Sequence, residues 1–304
     1  MGVYLRRECF SVGCIPATGV CLRRPAFRKN GAKLLTKKSG TNSAQKTQTG
    51  KNAGVFPVFR PAALYINGKE SIMVYSDTVE AVFVSRPNRF IAEVDVGGTR
   101  IQAHVKNTGR CAELFVPGRR VWLSVPPSCG TRKTKYDLVT VEKPDNDSGG
   151  SILVNVDSQA PNEVCAEWLA GGLFSPDAHI RREVRHGASR FDFCVEESGC
   201  TSFVEVKGVT LEKDGAALFP DAPTERGVKH VLHLAECAEA GYSAAIVFVI
   251  QMKGVRLFSP NYGTHPEFGE ALRYAESRGV RIAAVDTLVT PDSMTVDSFV
   301  EVKL

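Results

Sequence analysis

Two carboxylates and an amine near the middle of the chain are residue types that divalent-cation chemistry needs. Alternating apolar runs at Arg190–Val195 and Ser202–Val209 flank a Glu-Glu-Ser-Gly turn, which predicts a β-hairpin. Residues two apart in a strand share a face, so Glu205 and Lys207 point the same way, and Asp192 joins them if the register allows. Two carboxylates so placed can chelate Mg²⁺ or Mn²⁺ and leave room for water and a phosphate oxygen.

The same hairpin also has a plainer interpretation. Asp, Glu and Lys on one face of a hairpin commonly form a solvated cross-strand ion pair. The spacing, an Asp followed after 12 residues by Glu-x-Lys, is by itself a weak pattern. On either interpretation, Phe191 and Phe193 are predicted to lie together on the face opposite Asp192.

The sequence around the hairpin resembles the sugar fermentation stimulation family, SfsA. The blocks that carry the resemblance are EVRHGASRFDF (183–193), FVEVKGVTLEKDGAALFPDAPTERGVKH (203–230) and FSPNYGTHPEFGEAL (258–272). Earlier matching blocks are RPNRFIAEV (86–94), NTGRCAELFVPGRRVW (107–122) and TRKTKYDLV (131–139), so the likeness covers residues 73–295. It implies a second domain similar to restriction-type nucleases, whose active site is Asp…Glu-x-Lys. It also implies DNA binding and DNA or RNA nuclease activity.

This resemblance implies a catalytic set of Asp192, Glu205 and Lys207, in which the two carboxylates are the metal ligands. A bound Mg²⁺ acts as a Lewis acid on the scissile phosphate and makes its water more acidic, and Lys207 would hold or deprotonate that water. Nucleases of this class often use one more carboxylate, for which Glu183 is the candidate. Glu163 and Glu167, one turn apart on the preceding helix, are alternative candidates for this role.

The start of a predicted helix in and after the FPDAPTERG block is a candidate phosphate-binding site. Thr224 can cap this helix and Gly241 ends it, so free N–H groups and a positive pole lie at its start. We expect Arg226 and His230 to reinforce nucleic-acid binding there. His230 and His233 also have metal-ligand spacing, but the sequence shows no third ligand at hand.

The elements that must position these residues divide the chain. Short strand-like runs and a Gly97-Gly98 turn between 78 and 141 predict a small OB-type β-barrel, and Ala112–Phe115 is predicted to be a brief helix. Eight basic residues in its loops and strand ends are Arg86, Arg89, Arg110, Arg119, Arg120, Arg132, Lys133 and Lys135. Such barrels bind single strands through basic grooves, although these charges could equally be solvated loop residues.

The fold class expected is α/β, or α+β overall. It comprises the OB-type barrel at 72–143, a linker at 144–150 and, by the resemblance, a restriction-endonuclease-like α/β domain at 151–304 with a mixed central sheet. That domain is predicted to begin with a strand at Ile152–Val156. Its further elements are a helix at Pro161–Leu169, the helix from Thr224, a strand at Ser243–Ile250, a helix at Pro266–Arg278 and a strand at Val280–Leu288.

Composition and charge exclude several classes of protein. Of 304 residues 43% are hydrophobic and 23% charged, which is typical of globular domains. Eleven of the 38 Lys and Arg but one of the 33 acidic residues fall in 1–54, so the remainder has 27 basic and 32 acidic residues. The folded part therefore does not coat DNA through bulk charge, and nucleic-acid contact must be local or through metal.

Residues 1–71 are predicted to be a disordered basic extension, or else the product of a misassigned start, with Met73 near where chains of the family begin. The nine Cys show no CxxC pair, which predicts free thiols in a reducing cytoplasmic setting. The longest apolar run, Ala244–Ile250, is too short to span a bilayer. The oligomeric state, monomer or homodimer, stays open.

The function predicted is a Mg²⁺-dependent DNA or RNA nuclease that grips its strand with the barrel. The alternative is a non-cleaving DNA-binding regulator of sugar-metabolism genes. Against this alternative, a pure binder has no need for two carboxylates beside an anionic polymer. A structural ion-pair cluster in a protein with a small-molecule ligand is a third possibility, which no residue pattern supports.

Overall fold

The computed structural model describes residues 65–66, 69–70, 73–126, 134–145 and 149–304. Most of the predicted disordered extension therefore lies outside the described residues. Within it, two short strands, β1 (Tyr65–Ile66) and β2 (Lys69–Glu70), pair antiparallel. The sequence between them is Asn-Gly, a hairpin signal that the prediction from composition overlooked.

The first half of the described chain is built from short strands. They are β3 (Met73–Val74), β4 (Thr78–Asn88), β5 (Ile91–Val96), β6 (Thr99–His104), β7 (Arg120–Ser124), β8 (Tyr136–Pro144) and β9 (Ser151–Asn155). Strands β4 to β9 form one sheet in the order β6-β5-β4-β7-β8-β9. A further parallel pairing of β6 with β8 closes the sheet into the predicted OB-type barrel.

Turn signals in this half are partly confirmed. Gly97 and Gly98 join β5 to β6 with φ of 58° and 88°, a conformation that glycine adopts without steric cost. The predicted helix at Ala112–Phe115 is wrong, because these residues form only turns.

The predicted linker at 144–150 is also wrong. Strands β8 and β9 pair antiparallel from Thr140↔Asn155 to Pro144↔Ser151, so this stretch joins the two strands of a hairpin. The strand expected to open the second domain therefore belongs to the barrel sheet. Pro, Asp, Ser and Gly favour a tight turn as strongly as a linker, so composition alone could not separate the two.

The second half contains three helices and nine strands. Its elements are α1 (Ala160–Trp168), a π-helical turn (Leu169–Leu173), β10 (His179–His186), β11 (Ser189–Glu197), β12 (Cys200–Val209), β13 (Leu211–Lys213), β14 (Ala216–Phe219), α2 (Glu225–Glu239), β15 (Ser243–Ile250), β16 (Leu257–Pro260), α3 (Pro266–Ser277), β17 (Arg281–Val289) and β18 (Ser293–Val302). The sheet runs β10-β11-β12-β15-β17-β18-β16-β14-β13, and β3 also pairs with β18. Strands β12, β15 and β17 are parallel and β10–β12 antiparallel, so the predicted mixed sheet is confirmed.

Helices cover both faces of this sheet. On one face, Val164 and Trp168 of α1 pack with Val204 and Val206 of β12. On the other face lie α2 and α3, with buried residues that include Val231, Leu234, Phe268 and Leu272. No helix in the described part of the chain is long and apolar enough to cross a membrane. The five cysteines of the described part are free thiols.

Buried polar residues join the barrel to the mixed sheet. Asp157, between β9 and α1, is buried and accepts a hydrogen bond from Lys106 Nζ at 2.6 Å. Asp157 also accepts from Tyr75 Oη at 3.3 Å. Gln251 Nε2, at the end of β15, donates to the carbonyls of Asn155 and Asp157 at 3.0 and 3.1 Å. Lys106 therefore carries the positive charge of a polar junction that fixes the start of α1.

Candidate active site

The β11–β12 hairpin has the predicted turn, and the neighbouring strand β10 has an unexpected kink. The ladder between β10 and β11 passes from Arg182↔Phe193 to Val184↔Phe191, and Glu183 between them has φ of 56°. A positive φ interrupts regular strand geometry. Next to this kink, Phe191 packs on the α2 side of the sheet and Phe193 on the α1 side, so their predicted common face is wrong.

Glu205 occupies the centre of the site. Its carboxylate is buried, and Oε1 accepts from Lys207 Nζ and from His230 Nδ1, both at 2.5 Å. Oε2 is also buried and has no hydrogen-bond partner. Burial acts to raise the pKa of Glu205, but the contacts with His230 and Lys207 outweigh burial and hold the pKa below its usual value.

Asp192 lies beside Glu205, in the strand next to this kink. Its Oδ2 accepts from the Val206 N–H at 2.7 Å, and its Oδ1 accepts from Asn162 Nδ2 of α1 at 2.9 Å. Burial, and then the negative charge of Glu205, raise the pKa of Asp192 despite these donors. The two carboxylates are therefore close enough to repel each other electrostatically.

A cleft of about 200 Å³ gathers most of the predicted catalytic residues. Its charged and titratable lining is Glu183, Arg190, Asp192, Glu205, Lys207, Arg226 and His230. Sequence reasoning missed Arg190 and Asn162. Arg190 precedes Asp192 by two residues in the same strand, and such residues share a face. This spacing was the signal that could have identified Arg190 as a residue of the cleft.

The donors in the cleft fit a hard divalent cation. Glu205 Oε2 is an unpartnered buried oxygen beside a second carboxylate, and oxygen donors are what Mg²⁺ and Mn²⁺ prefer. No group of three His, Cys, Asp or Glu with metal-site geometry occurs among the described residues. Two protein carboxylates suffice for Mg²⁺, which keeps several waters and binds substrate phosphate.

The structure separates the candidates for a further carboxylate. Glu183 lines the cleft and pairs with Arg190 Nε at 2.8 Å. Glu163 is bound instead by both terminal nitrogens of Arg182, at 2.8 and 2.6 Å. Neither Glu163 nor Glu167 lines the cleft.

Two residues at the start of α2, Thr224 and Arg226, have different positions relative to the cleft. Thr224 caps the helix, since its Oγ1 accepts from the Gly227 N–H at 3.0 Å, and Thr224 does not line the cleft. Arg226 does line the cleft, and its Nε lies 3.5 Å from His230 Nε2. His233 stacks against Phe191 with ring centroids 5.2 Å apart, while His230 is bonded to Glu205, so the pair does not act as joint metal ligands.

These contacts predict opposite effects for two neighbouring substitutions. Thr224→Ala is expected to cost about 1 kcal/mol of stability through loss of the cap, a fall of about 2–4 °C in Tm, with unchanged affinity for nucleic acid. Arg226→Ala is expected to weaken binding without a change in Tm, because its exposed side chain adds charge but little packing. Thermal melting and oligonucleotide binding of both variants check this. A fall of several degrees for Arg226→Ala at normal affinity would contradict it.

Several arginines of the barrel are used inside the fold. The terminal nitrogens of Arg86 donate to the carbonyls of Arg89, Asn107, Gly109 and Arg110 at 2.7–2.8 Å. Arg86 therefore holds a loop and is not available to phosphate, which corrects the prediction that it binds nucleic acid.

Two further arginines also bond within the barrel. Arg119 donates to the carbonyls of Glu113 and Leu114, and Arg120 forms a two-pronged contact with Glu142. The Arg120 contact lowers the pKa of Glu142 to about 2.

The other predicted binding residues of the barrel are exposed where the structure describes them. Arg89, Arg110 and Lys135 reach solvent. The Arg89 guanidinium lies 4.7 Å from the centroid of the Phe90 ring, and the Phe90 side chain is exposed. Lys135 lies 5.2 Å from the Tyr136 ring. Arg132 and Lys133 fall outside the described residues.

Comparisons with known proteins give the family of this chain. The model of the SfsA N-terminal OB domain matches residues 84–155, and that of the sugar fermentation stimulation protein RE domain matches residues 159–293. A "sugar fermentation stimulation protein homolog" of Desulfitobacterium hafniense is 52% identical over 232 residues, 76% of this chain and 99% of that protein. A Clostridium beijerinckii homolog is 47% identical over 233 residues, 76% of this chain and 100% of that protein.

A solved structure is similar as well. It is described as Pyrococcus furiosus SfsA in complex with Ca²⁺, and it superposes with a TM-score of 0.65 at 28% identity. The match covers 76% of this chain and 98% of that one. Family models, relatives and structure agree on one assignment: the chain belongs to the sugar fermentation stimulation protein family, SfsA.

Proposed function

We propose that this protein is a metal-dependent nuclease that hydrolyses phosphodiester bonds of DNA or RNA. The observation that carries the proposal is the buried, unpartnered Glu205 Oε2 beside Asp192, in a cleft that also contains Lys207 and Arg226. Two crowded carboxylates would repel a phosphate chain by themselves, so their presence in a cleft with cations is explained by a bound cation. Asp192 and Glu205 would hold Mg²⁺ or Mn²⁺.

The positively charged side chains of the cleft would bind and orient the substrate. Lys207 and Arg226 would contact non-bridging oxygens of the scissile phosphate, whose negative charge increases during attack. A bound Mg²⁺ supplies Lewis-acid polarisation of that phosphate and a more acidic water. Arg226 Nε donates toward His230 Nε2, so neutral His230 has its proton on Nδ1 and donates it to Glu205. This bond fixes the orientation of the Glu205 carboxylate.

The barrel would bind the nucleic-acid strand that is cleaved in the cleft. Exposed Arg89 over Phe90 and Lys135 over Tyr136 combine positive charge with an aromatic ring, as single-strand binding requires. The Ca²⁺ in the complex of the Pyrococcus furiosus relative also supports the proposal, since Ca²⁺ and Mg²⁺ share a preference for oxygen ligands.

A second candidate is a non-cleaving DNA-binding regulator of sugar-metabolism genes, which the name of the curated relatives favours. Such a protein would use the barrel and the cleft only for binding. This second candidate function does not explain why the two carboxylates of Asp192 and Glu205 lie side by side in the cleft.

Cleavage of a labelled oligonucleotide tests the proposal. The wild-type protein is incubated with single-stranded DNA or RNA in Mg²⁺, Mn²⁺, Ca²⁺ or chelator, and products are separated by length. We expect shortened products with Mg²⁺ and Mn²⁺ and none with chelator. Binding of the same oligonucleotides without cleavage under every metal condition would reject the nuclease and favour the regulator.

A further inference from the structure

A second concavity, the α2 groove, lies against the outer face of helix α2. Its volume is about 800 Å³, and its walls are the turn between β10 and β11 and the side of α2. We define it by Arg185, Ser189 and Arg190 on the strand side and by Arg226, Lys229 and His233 on the helix side. The α2 groove is thus four times the volume of the catalytic cleft.

The charge of the α2 groove is strongly positive. Four of its residues are Arg or Lys and one, Glu236, is acidic. Arg190 is paired with Glu183. Arg185 and Lys229 are exposed, and neither has a carboxylate partner within the described part of the chain. Two unneutralised cations facing one groove favour an anionic ligand.

The α2 groove is continuous with the catalytic cleft. Arg190, Arg226 and His230 line both concavities. On its other side, the cleft shares Ser158 and Gly208 with a pocket of about 220 Å³. That pocket is bounded by the barrel residues Asn107, Thr108 and Gly109. A continuous path therefore runs from α2 across the carboxylates to the barrel.

The shape of the α2 groove limits what can fill it. A Cβ placed on Gly187 would lie 2.9 Å from His233 Nε2, so the turn touches the helix at one end of the groove. Arg226, Lys229 and His233 occur at intervals of three and four residues, which is one helix face about 10 Å long. A row of this length between a turn and a helix accommodates one extended strand.

We propose that the α2 groove binds the phosphates of a single-stranded nucleic acid on one side of the scissile bond, with Arg185 and Lys229 as the contacts. This inference rests on the proposed function and identifies the substrate as a single strand that continues past the cleft on the side away from the barrel. The strand enters between the β10–β11 turn and α2 and crosses the cleft toward the barrel loop.

Binding without cleavage tests the groove separately from catalysis. Fluorescence anisotropy with a labelled single-stranded oligonucleotide is measured in chelator, over a series of salt concentrations. Replacing Arg185 and Lys229 together by Ala is expected to weaken binding about tenfold and to flatten the slope of log K against log[salt] by about 0.7 for each phosphate that the protein no longer neutralises. The control is Arg278→Ala with Lys303→Ala, which removes the same charge from exposed sites paired with Glu239 and Glu301.

The outcomes distinguish the groove from the nuclease. Unchanged affinity and salt slope in the groove variant would overturn the inference even if the wild type cleaves. An equal loss of affinity in the control would overturn it too, since net charge alone would then explain the effect. Duplex binding as tight as single-strand binding and equally sensitive to the two substitutions would reject the single-strand assignment. A wild type that never cleaves, but whose binding depends on the groove, would reject the proposed nuclease alone.

Discussion

Asp192→Asn and Glu205→Gln are each expected to abolish cleavage together with the stabilisation that Mg²⁺ confers. A ligand that binds only the native arrangement stabilises by mass action, about 1.4 kcal/mol at ten times its Kd. For a protein of this size, that stabilisation raises Tm by about 3–6 °C. Each substitution removes one of the two carboxylates that would hold the ion, so the shift should disappear. Thermal melting with Mg²⁺ and with chelator, beside the oligonucleotide assay, checks both effects.

Two further variants sharpen this experiment. Lys207→Ala should lose cleavage but keep the Mg²⁺ shift, because Lys207 contacts Glu205 without being an oxygen ligand. Glu163→Gln is the matched control, a carboxylate on α1 that pairs with Arg182 outside the cleft. It should keep both cleavage and shift. A wild type without a Mg²⁺ shift, and an Asp192→Asn variant that melts well below it, would make the carboxylate pair a structural feature.

Without metal, the two carboxylate variants should differ in stability. Glu205→Gln removes the negative charge that Lys207 and His230 share, so it should lower Tm in chelator. Asp192→Asn instead relieves the repulsion with Glu205, and its Tm in chelator should equal or exceed that of the wild type. The order of the two melting temperatures is therefore a prediction in itself.

Lys106→Met is expected to destabilise the protein by about 3 kcal/mol, a fall of about 6–12 °C in Tm. Lys106 Nζ lies 2.6 Å from Asp157 and 3.5 Å from Asp137, and both carboxylates are buried. Without the lysine, Asp157 keeps only neutral donors, because burial and the charge of Asp157 raise the pKa of Tyr75 and keep its hydroxyl protonated. An uncompensated buried charge is costly.

A second substitution separates charge from packing. Lys106→Met combined with Asp157→Asn removes both members of the pair, so it should recover part of the lost stability. Lys303→Met on the exposed C-terminal segment is the control and should stay within about 0.5 kcal/mol of the wild type. A double variant no more stable than Lys106→Met would show that the lysine acts through packing.

Local patterns in the sequence predicted much of the fold. The alternation around Phe193 and Val204 predicted the hairpin, Thr224 and Gly241 marked the ends of α2, and the apolar run Ser243–Ile250 coincides with β15. Each is a short-range signal, in which the residue type directly favours a conformation. The family resemblance then supplied the order of the domains, which local patterns do not contain.

The errors have long-range causes. Phe191 and Phe193 lie on opposite sides of the sheet, next to the positive φ of Glu183 in the neighbouring strand, and no local pattern predicted this irregularity. Charge counting included Arg86 among binding residues, although three of the four carbonyls that accept from it lie more than 20 residues away in sequence, such as that of Asn107 at 2.7 Å. Sequence gives the number of charges, whereas their availability depends on partners that only the fold brings together.

The short strand β3 has a mechanical consequence. Met73 pairs with Met294 of β18, and the Tyr75 N–H donates to the Asp292 carbonyl at 2.7 Å, before the chain enters the barrel at Thr78. The barrel is therefore connected to the mixed sheet at two points: through β3, which is hydrogen-bonded to β18, and through the segment from β9 to α1. A domain attached at two points has less freedom to rotate than one attached at a single point, so we expect the distance between a strand bound by the barrel and the two carboxylates to vary little.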